Sequence, residues 1–299
     1  MRSARVGPPQ AAVAHAFEPH RCPLPQLREV LFPCDLSPES ERAFEHARFL
    51  AESFQARLTL YHAVEFPDHA FVHWAFDRHR NIWNEVEQSA REQLARKAGT
   101  LRVSYDVLVE RSGSAQCSLL ELIRRTQPDL TVMATHGREG VSRMLLGSVT
   151  ESVFRHAFRP ILCVREPEHG GALPYRKILV PTDLSLGSRL VFPIAARFAS
   201  QFGAQVVALH VVRTGPSAPR EIPTESWLWK FVERDFPGIQ VNAQLHHGPV
   251  WQRIVEAARL EDADVIVMST RGHDSLGDRV MGSNTERVVR HAPCPVLVA

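Results

Sequence analysis

Ala134-Thr135-His136-Gly137, followed by Leu146-Gly147-Ser148, returns in the second half of the chain as Ser269-Thr270-Arg271-Gly272 with Met281-Gly282-Ser283. Counterparts are evenly offset: 137 to 272, 147 to 282 and Pro160 to Pro295 are each 135 positions apart. Working outward, Val30-Leu31-Phe32-Pro33-Cys34-Asp35-Leu36-Ser37 matches Ile178-Leu179-Val180-Pro181-Thr182-Asp183-Leu184-Ser185, here with an offset of 148. The first copy therefore carries 13 more residues (148 against 135) between its Asp and its glycine loop. They fall after the second strand, where 66–100 is helix-like and longer than its counterpart 214–238. Self-similarity at this scale marks two copies of one domain, and 299 residues suffice for each to bury its own core.

Within each copy, short β-branched apolar runs alternate with amphipathic stretches, the pattern of βαβ units around a parallel sheet covered on both faces. In the first copy it predicts strands near 28–33, 57–64, 102–109, 130–135 and 160–164, with helices near 38–54, 78–98, 115–126 and 148–157. In the second it predicts strands near 177–181, 205–212, 239–246, 264–269 and 295–298. Right-handed crossovers make each copy a doubly wound open sheet. The expected domains are 26–166 and 176–299, joined by a Pro- and Gly-containing linker over 167–175. Residues 1–25 are expected to form a disordered arm, since they lack the apolar core and cleavage site of a secretory signal.

Each glycine loop follows the fourth strand, at the carboxyl edge where open α/β sheets take their ligands. Gly137 and Gly147 are expected to let the chain turn and come close to a ligand. Ser148, Val149 and Thr150 then open a helix whose first amides and dipole suit an anion. The same residues admit another reading. Ser148 with Glu151, and Ser283 with Glu286, fit a capping box that would use those amides internally. Asp35 and Asp183 lie just past the first strand of each copy, and an Asp there either closes a turn into the helix or accepts from a ligand. Their recurrence at the loop's edge favours a ligand with donor groups, such as a nucleoside.

Other chemistries are excluded. There is no P-loop, no Gly-x-Gly-x-x-Gly after the first strand and no Gly-x-Ser-x-Gly elbow, and neither Asp has the acidic neighbour of a phosphoacceptor site. His69, His73 and Asp77 share one helical face, but two strong ligands in line do not make a metal site, and none is expected there or at His246 and His247. With 35 basic and 33 acidic residues, the net charge of +2 carries no nucleic-acid footprint, and no apolar run spans a bilayer. Five scattered cysteines suit a reducing compartment, so a cytoplasmic location is expected.

Together these residues resemble the universal stress protein family in its tandem-domain form, over Leu27 to Ala299. The family signature is Gly-x2-Gly-x9-Gly-Ser/Thr after strand four, with an Asp after strand one. Ala134, Gly137, Gly147 and Ser148 match it in the first copy, and Ser269, Gly272, Gly282 and Ser283 in the second, so both replace the first glycine. The resemblance implies two tandem five-stranded parallel sheets of order 3-2-1-4-5 with helices on both faces. It also implies ATP as ligand, with Mg2+ where the triphosphate needs it. Pro33, Cys34, Asp35, Ala63, Met133 and Ala134 would then line the adenine and ribose end, and Gly137, Arg138, Gly147, Ser148, Val149 and Thr150 would hold the phosphates.

The second-copy equivalents are Pro181, Thr182, Asp183, Val211, Met268 and Ser269, then Gly272, Gly282, Ser283, Asn284 and Thr285. Asp274 and Asp278 in the second loop would repel a triphosphate, whereas Arg138 and Arg143 in the first would attract one, so the first copy is expected to be the better of the two sites. The family pairs its last strands across a dimer. In this chain 160–164 and 295–298 are expected to pair with each other as an intramolecular pseudo-dimer, or between chains as a homodimer. The function implied is a stress-response protein that binds adenine nucleotide, with slow or no hydrolysis and an unidentified protein partner. The alternative is a nucleotide-free scaffold of the same fold.

Overall fold

The structure is a computed structural model that describes residues 26–66, 72–135, 147–156, 159–165, 172–213, 224–270 and 282–299, with only the backbone described over 72–81. The arm at 1–25 and His69 lie outside the described residues, as do the side chains of His73 and Asp77. The first half runs β1 (Glu29–Pro33), α1 (Glu39–Phe54), β2 (Arg57–Glu65), α2 (Val72–Ala98), β3 (Tyr105–Ser112), α3 (Ala115–Thr126), β4 (Leu130–Ala134), α4 (Ser148–His156) and β5 (Ile161–Val164). The second runs β6 (Lys177–Thr182), α5 (Leu186–Arg189), α6 (Phe192–Phe202), β7 (Gln205–Val212), α7 (Glu225–Val232), β8 (Val241–His247), α8 (Val250–Leu260), β9 (Val265–Met268), α9 (Ser283–His291) and β10 (Val296–Val298).

The strands form one sheet of order β3-β2-β1-β4-β5-β10-β9-β6-β7-β8. Each half therefore has the 3-2-1-4-5 order, and every pairing within a half is parallel. The seam is the antiparallel pair β5 and β10, with Val296 opposite Cys163 and Val298 opposite Ile161. The two last strands thus satisfy each other within one chain. β4 and β9 are buried almost throughout, as strands covered on both faces must be. One apolar layer carries α1, α2, α6 and α7, the other α3, α4, α8 and α9, and both layers continue across the seam.

Local chemistry explains where elements differ from expectation. β3 and β8 start two to three residues later than their apolar runs suggest, at Tyr105 and Val241. Ahead of β3 the chain is pinned by Arg102 N–H donating to Glu52 Oε1 (3.1 Å). The counterpart of α1 is broken into α5 and α6, with Pro193 in the first turn of α6, where its missing N–H costs no helical bond. The extra length of the first half lies in α2, 27 residues against 8 for α7.

Tyr175, in the stretch expected to be a linker, is fully buried. Its ring lies between His46 and Phe198 and meets Phe49 and Phe202 edge-on, so aromatic residues of α1 and α6 are joined across the seam. Tyr175 OH and His46 Nδ1 lie 2.7 Å apart. Burial, aided by the nearby Arg42 charge, lowers the His46 pKa from 6.5 to about 4. The fold thus holds this imidazole neutral, and its contribution is complete above pH 6.5 and fades as pH falls toward about 4. Unfolding measured in urea at pH 7 and pH 4.5 is expected to show that wild type loses roughly 2 kcal/mol more stability than His46→Gln over that interval. Equal losses would show that His46 titrates as it does in the unfolded chain.

Candidate functional site

The site begins with a backbone constraint. β1 pairs with β2 over five residues, to Pro33 opposite Tyr61, but with β4 only at Val30–Leu130 and Leu31–Thr131. Even-numbered residues of β1 face β2, as in the bond from Cys34 N–H to Tyr61 O (2.8 Å), and odd-numbered ones face β4, as in Asp129 N–H to Glu29 O (2.9 Å). Residue 33 should donate the next rung to β4, and it is a proline, without an N–H. β4 meanwhile stays paired with β5 as far as Ala134. The carboxyl ends of β1 and β4 thus part company, leaving a crevice at the switch point. The second half repeats this: β6 and β9 pair at two positions, and the next donor would be Pro181.

Asp35 and Asp183 sit at the rim and close the turn into the helix. Oδ1 of Asp35 accepts from Ser37 N–H (3.0 Å) and Oγ–H (2.6 Å), and Asp183 accepts from Ser185 at the same distances. These bonds hold Leu36 and Leu184 in the left-handed region, at φ 61° and 67°, a strained conformation for leucine. The turn reading of these aspartates is therefore realised, but it uses one oxygen. Oδ2 of Asp35 is buried and has no partner among the described residues. An unsatisfied buried carboxylate oxygen costs free energy, on the order of 1–3 kcal/mol, until a donor reaches it.

Cys34 and Thr182 play one role with different atoms. Leu36 N–H donates to Cys34 Sγ (3.3 Å), beside Ser40 Oγ (3.3 Å). Leu184 N–H donates to Thr182 Oγ1 (3.0 Å), beside Ser188 Oγ (2.8 Å). Burial pushes the Cys34 thiol pKa up, so the group stays neutral in the turn. Met133 and Met268 are buried in the α3/α4 and α8/α9 layer, where Ala63 and Val211 also pack, whereas Ala134 packs in the opposite layer.

At the far rim Thr135 O accepts from Gly147 N–H (2.9 Å), and Thr270 O from Gly282 N–H (3.3 Å), so both ends of each glycine loop are tied together. Gly137, Arg138 and Gly272, with Arg143, Asp274 and Asp278, lie between these ties and outside the described residues. The capping box is not formed. Gly147 O and Gly282 O accept the first helical bonds, from Glu151 N–H (2.9 Å) and Glu286 N–H (3.2 Å). The capping position therefore belongs to a glycine, with no side chain to offer, and Ser148 and Ser283 open their helices. Glu151 reaches down the helix to Arg155 (2.8 Å) and Glu286 to Arg290 (2.6 Å), away from the amides. The backbone N–H groups of Ser148, Val149 and Thr150, and of Ser283, Asn284 and Thr285, accordingly have no acceptor among the described residues.

Thr150 Oγ–H and Thr285 Oγ–H donate to Ala134 O (3.0 Å) and Ser269 O (3.1 Å), fixing each helix start to the end of its fourth strand. The expectation that Gly147 serves a turn needs correction. Gly282 has an ordinary φ of −60°, and neither glycine is left-handed. A Cβ on Gly147 would lie 3.4 Å from Thr135 O, and one on Gly282 3.6 Å from Thr270 O, ordinary contacts. Nothing described within the chain demands glycine there. One contact escaped the sequence: Gln116, at the start of α3, donates from Nε2 to Ser148 O (2.8 Å). The residue 135 positions on is Trp251, which packs instead on His291. Only a comparison of the two copies position by position signals this difference.

A doubly wound α/β protein whose β1 and β4 part at the switch point, with a carboxylate oxygen and helix amides there that have no partner among the described residues, is what the geometry defines. The model of the universal stress protein family matches residues 26–165 and again 174–299, and the chain belongs to that family. It is similar to a universal stress protein of Methanocaldococcus jannaschii, 32% identical over 141 residues, 42% of this chain and 81% of that one. A universal stress protein of Mycobacterium tuberculosis is 26% identical over 289 residues, covering 89% of this chain and 94% of its own. Another from that species is 27% identical over 191 residues, 58% of this chain and 59% of its own length. The crystal structure of a universal stress protein from Archaeoglobus fulgidus shares the fold, with a TM-score of 0.66 at 18% identity over 90% of this chain and 97% of that one.

If the missing donor at position 33 is what ends the β1–β4 ladder, Pro33→Val should extend it. The new amide is expected to exchange with solvent as slowly as that of Leu31 in hydrogen-exchange NMR. Fast exchange at position 33 would show that something else holds the strands apart.

Proposed function

We propose that this chain is a cytoplasmic stress-response protein that binds ATP, or a related adenine nucleotide, in the crevice of its first half and hydrolyses it slowly or not at all. The observation that carries the reading is the set of amides at Ser148, Val149 and Thr150, which have no acceptor among the described residues once the capping box is absent. Three N–H groups at the positive end of a helix suit a phosphate. The buried Oδ2 of Asp35 supplies an acceptor for ribose hydroxyls or the exocyclic amine. In this reading Pro33, Cys34, Asp35, Ala63, Met133 and Ala134 hold the nucleoside. Gly137, Arg138, Gly147, Ser148, Val149 and Thr150 hold the phosphates, with Mg2+ offsetting part of their charge. Occupancy would then alter contacts with a protein partner.

The second half carries the same backbone arrangement, and its weaker claim rests on Asp274 and Asp278 in the loop. A scaffold without nucleotide is favoured by one observation, the replacement of the leading glycine by Ala134 and Ser269. Gly147 separates the two readings, because the chain tolerates a Cβ there while a phosphate against the helix start would not. Calorimetric titration with Mg-ATP is expected to give saturable binding to wild type. Gly147→Ala is expected to weaken it at least about tenfold, the cost of forfeiting roughly one charge-assisted hydrogen bond, with the melting temperature within about 2 °C of wild type. No binding to wild type, or unchanged affinity in the variant, would reject the proposal in favour of the scaffold.

A further inference from the structure

The crevice has a second wall to account for, because β1 must be held as it leaves β4. Its pairing with β2 stops at Pro33–Tyr61, and that of β6 with β7 at Thr182–His210. At each of these ends a histidine side chain of the neighbouring strand takes over. His62 Nδ1 lies 2.7 Å from Cys34 O, and His210 Nδ1 lies 2.8 Å from Thr182 O. A carbonyl oxygen only accepts, so the imidazole donates and Nδ1 carries the proton in both. His62 and His210 are 148 positions apart, the offset that relates Asp35 to Asp183. His62 is buried, and the carbonyl it holds belongs to the residue immediately before Asp35.

We propose that His62 and His210 are positioning residues, each supplying from its side chain the rung that the backbone ladder no longer makes and thereby fixing the aspartate turn at the crevice rim. Cys34 is then anchored at both ends of its peptide group, by its own N–H to Tyr61 O (2.8 Å) and by its carbonyl to His62. The strand is held on the β2 side just where it is released on the β4 side. Asp35, already turned by its bonds to Ser37, is thereby presented from a fixed platform. A bond made by a side chain is directional but local, so it supports the strand end without zipping the ladder on toward Asp35.

The effect on affinity rests on the nucleotide reading given above, whereas the hydrogen bond does not, and two measurements keep them apart. The first is 15N NMR of the imidazole rings of the full chain at pH 7, expected to show the Nδ1–H tautomer for both His62 and His210; the Nε2–H tautomer would overturn the assignment. The second is Mg-ATP titration of wild type, His62→Asn and His62→Leu. Asparagine places its amide nitrogen where Nδ1 stood, so its affinity is expected within about threefold of wild type. Leucine has no donor, and an affinity about tenfold lower is expected. Should the leucine variant be insoluble, His62→Ser, too short to span the gap, replaces it. Unchanged affinity in Leu or Ser, or an Asn variant as weak as either, would overturn the positioning role. Wild type that binds no nucleotide would defeat the proposed function alone, and the tautomers would then decide whether the histidines brace the strand.

Discussion

The pairing of β1 with β4 over two residues is the constraint on which the rest depends. A ladder continued to Asp35 would close the sheet at its switch point and leave no room beside the start of α4. The ladder stops where residue 33 is a proline on the side that faces β4, and the same pattern recurs at residue 181. A backbone donor deleted from each half therefore shapes the crevice, and the side chains of Asp35, Cys34 and their counterparts only finish it. The glycine at each helix start works in the same direction. By placing no oxygen at the capping position it leaves the first-turn amides without an acceptor among the described residues.

The two halves are held as one body by means separate from the sites. β5 and β10 each cover the edge the other would expose, which is how a sheet of ten strands avoids two sticky strands at its centre. On one face Tyr175 seals the seam by joining the aromatic residues of α1 and α6, and the burial of its hydrogen-bond partner His46 there keeps that imidazole neutral. The residue carrying this load lies just ahead of β6, in the stretch the sequence marks as a linker, and it is part of the core.

Much of this was legible in the sequence because the repeat states it twice. The offsets at Asp35 and Asp183 and at Gly147 and Gly282 fixed two domains, the placement of both motifs at one sheet edge, and the location of the extra residues in the helix after β2. What stayed hidden were features that depend on hydrogen-bond direction. Ser148 and Glu151 spell a capping box, yet the glycine before them takes the capping position and Glu151 turns to Arg155. Asp35 read as either a turn residue or a ligand acceptor; in the structure one oxygen closes the turn and the other is left without a partner among the described residues. His62 and His210 sit within apolar strands and carry no motif. The parity of a strand and the end of its ladder, which make them matter, are properties of pairing that no single stretch contains. Tyr175 was hidden by its Pro- and Gly-containing neighbours, which read as linker.

The central claim is that the first-turn amides of α4 are free to hold an anion. It is tested most directly by following backbone 1H–15N resonances of the full chain as Mg-ATP, and separately pyrophosphate, is added. The account predicts saturable shifts centred on the amides of Ser148, Val149 and Thr150 with both ligands, and on Asp35 and its neighbours with ATP alone. Resonances of those three amides that stay in place at saturating ligand would contradict it.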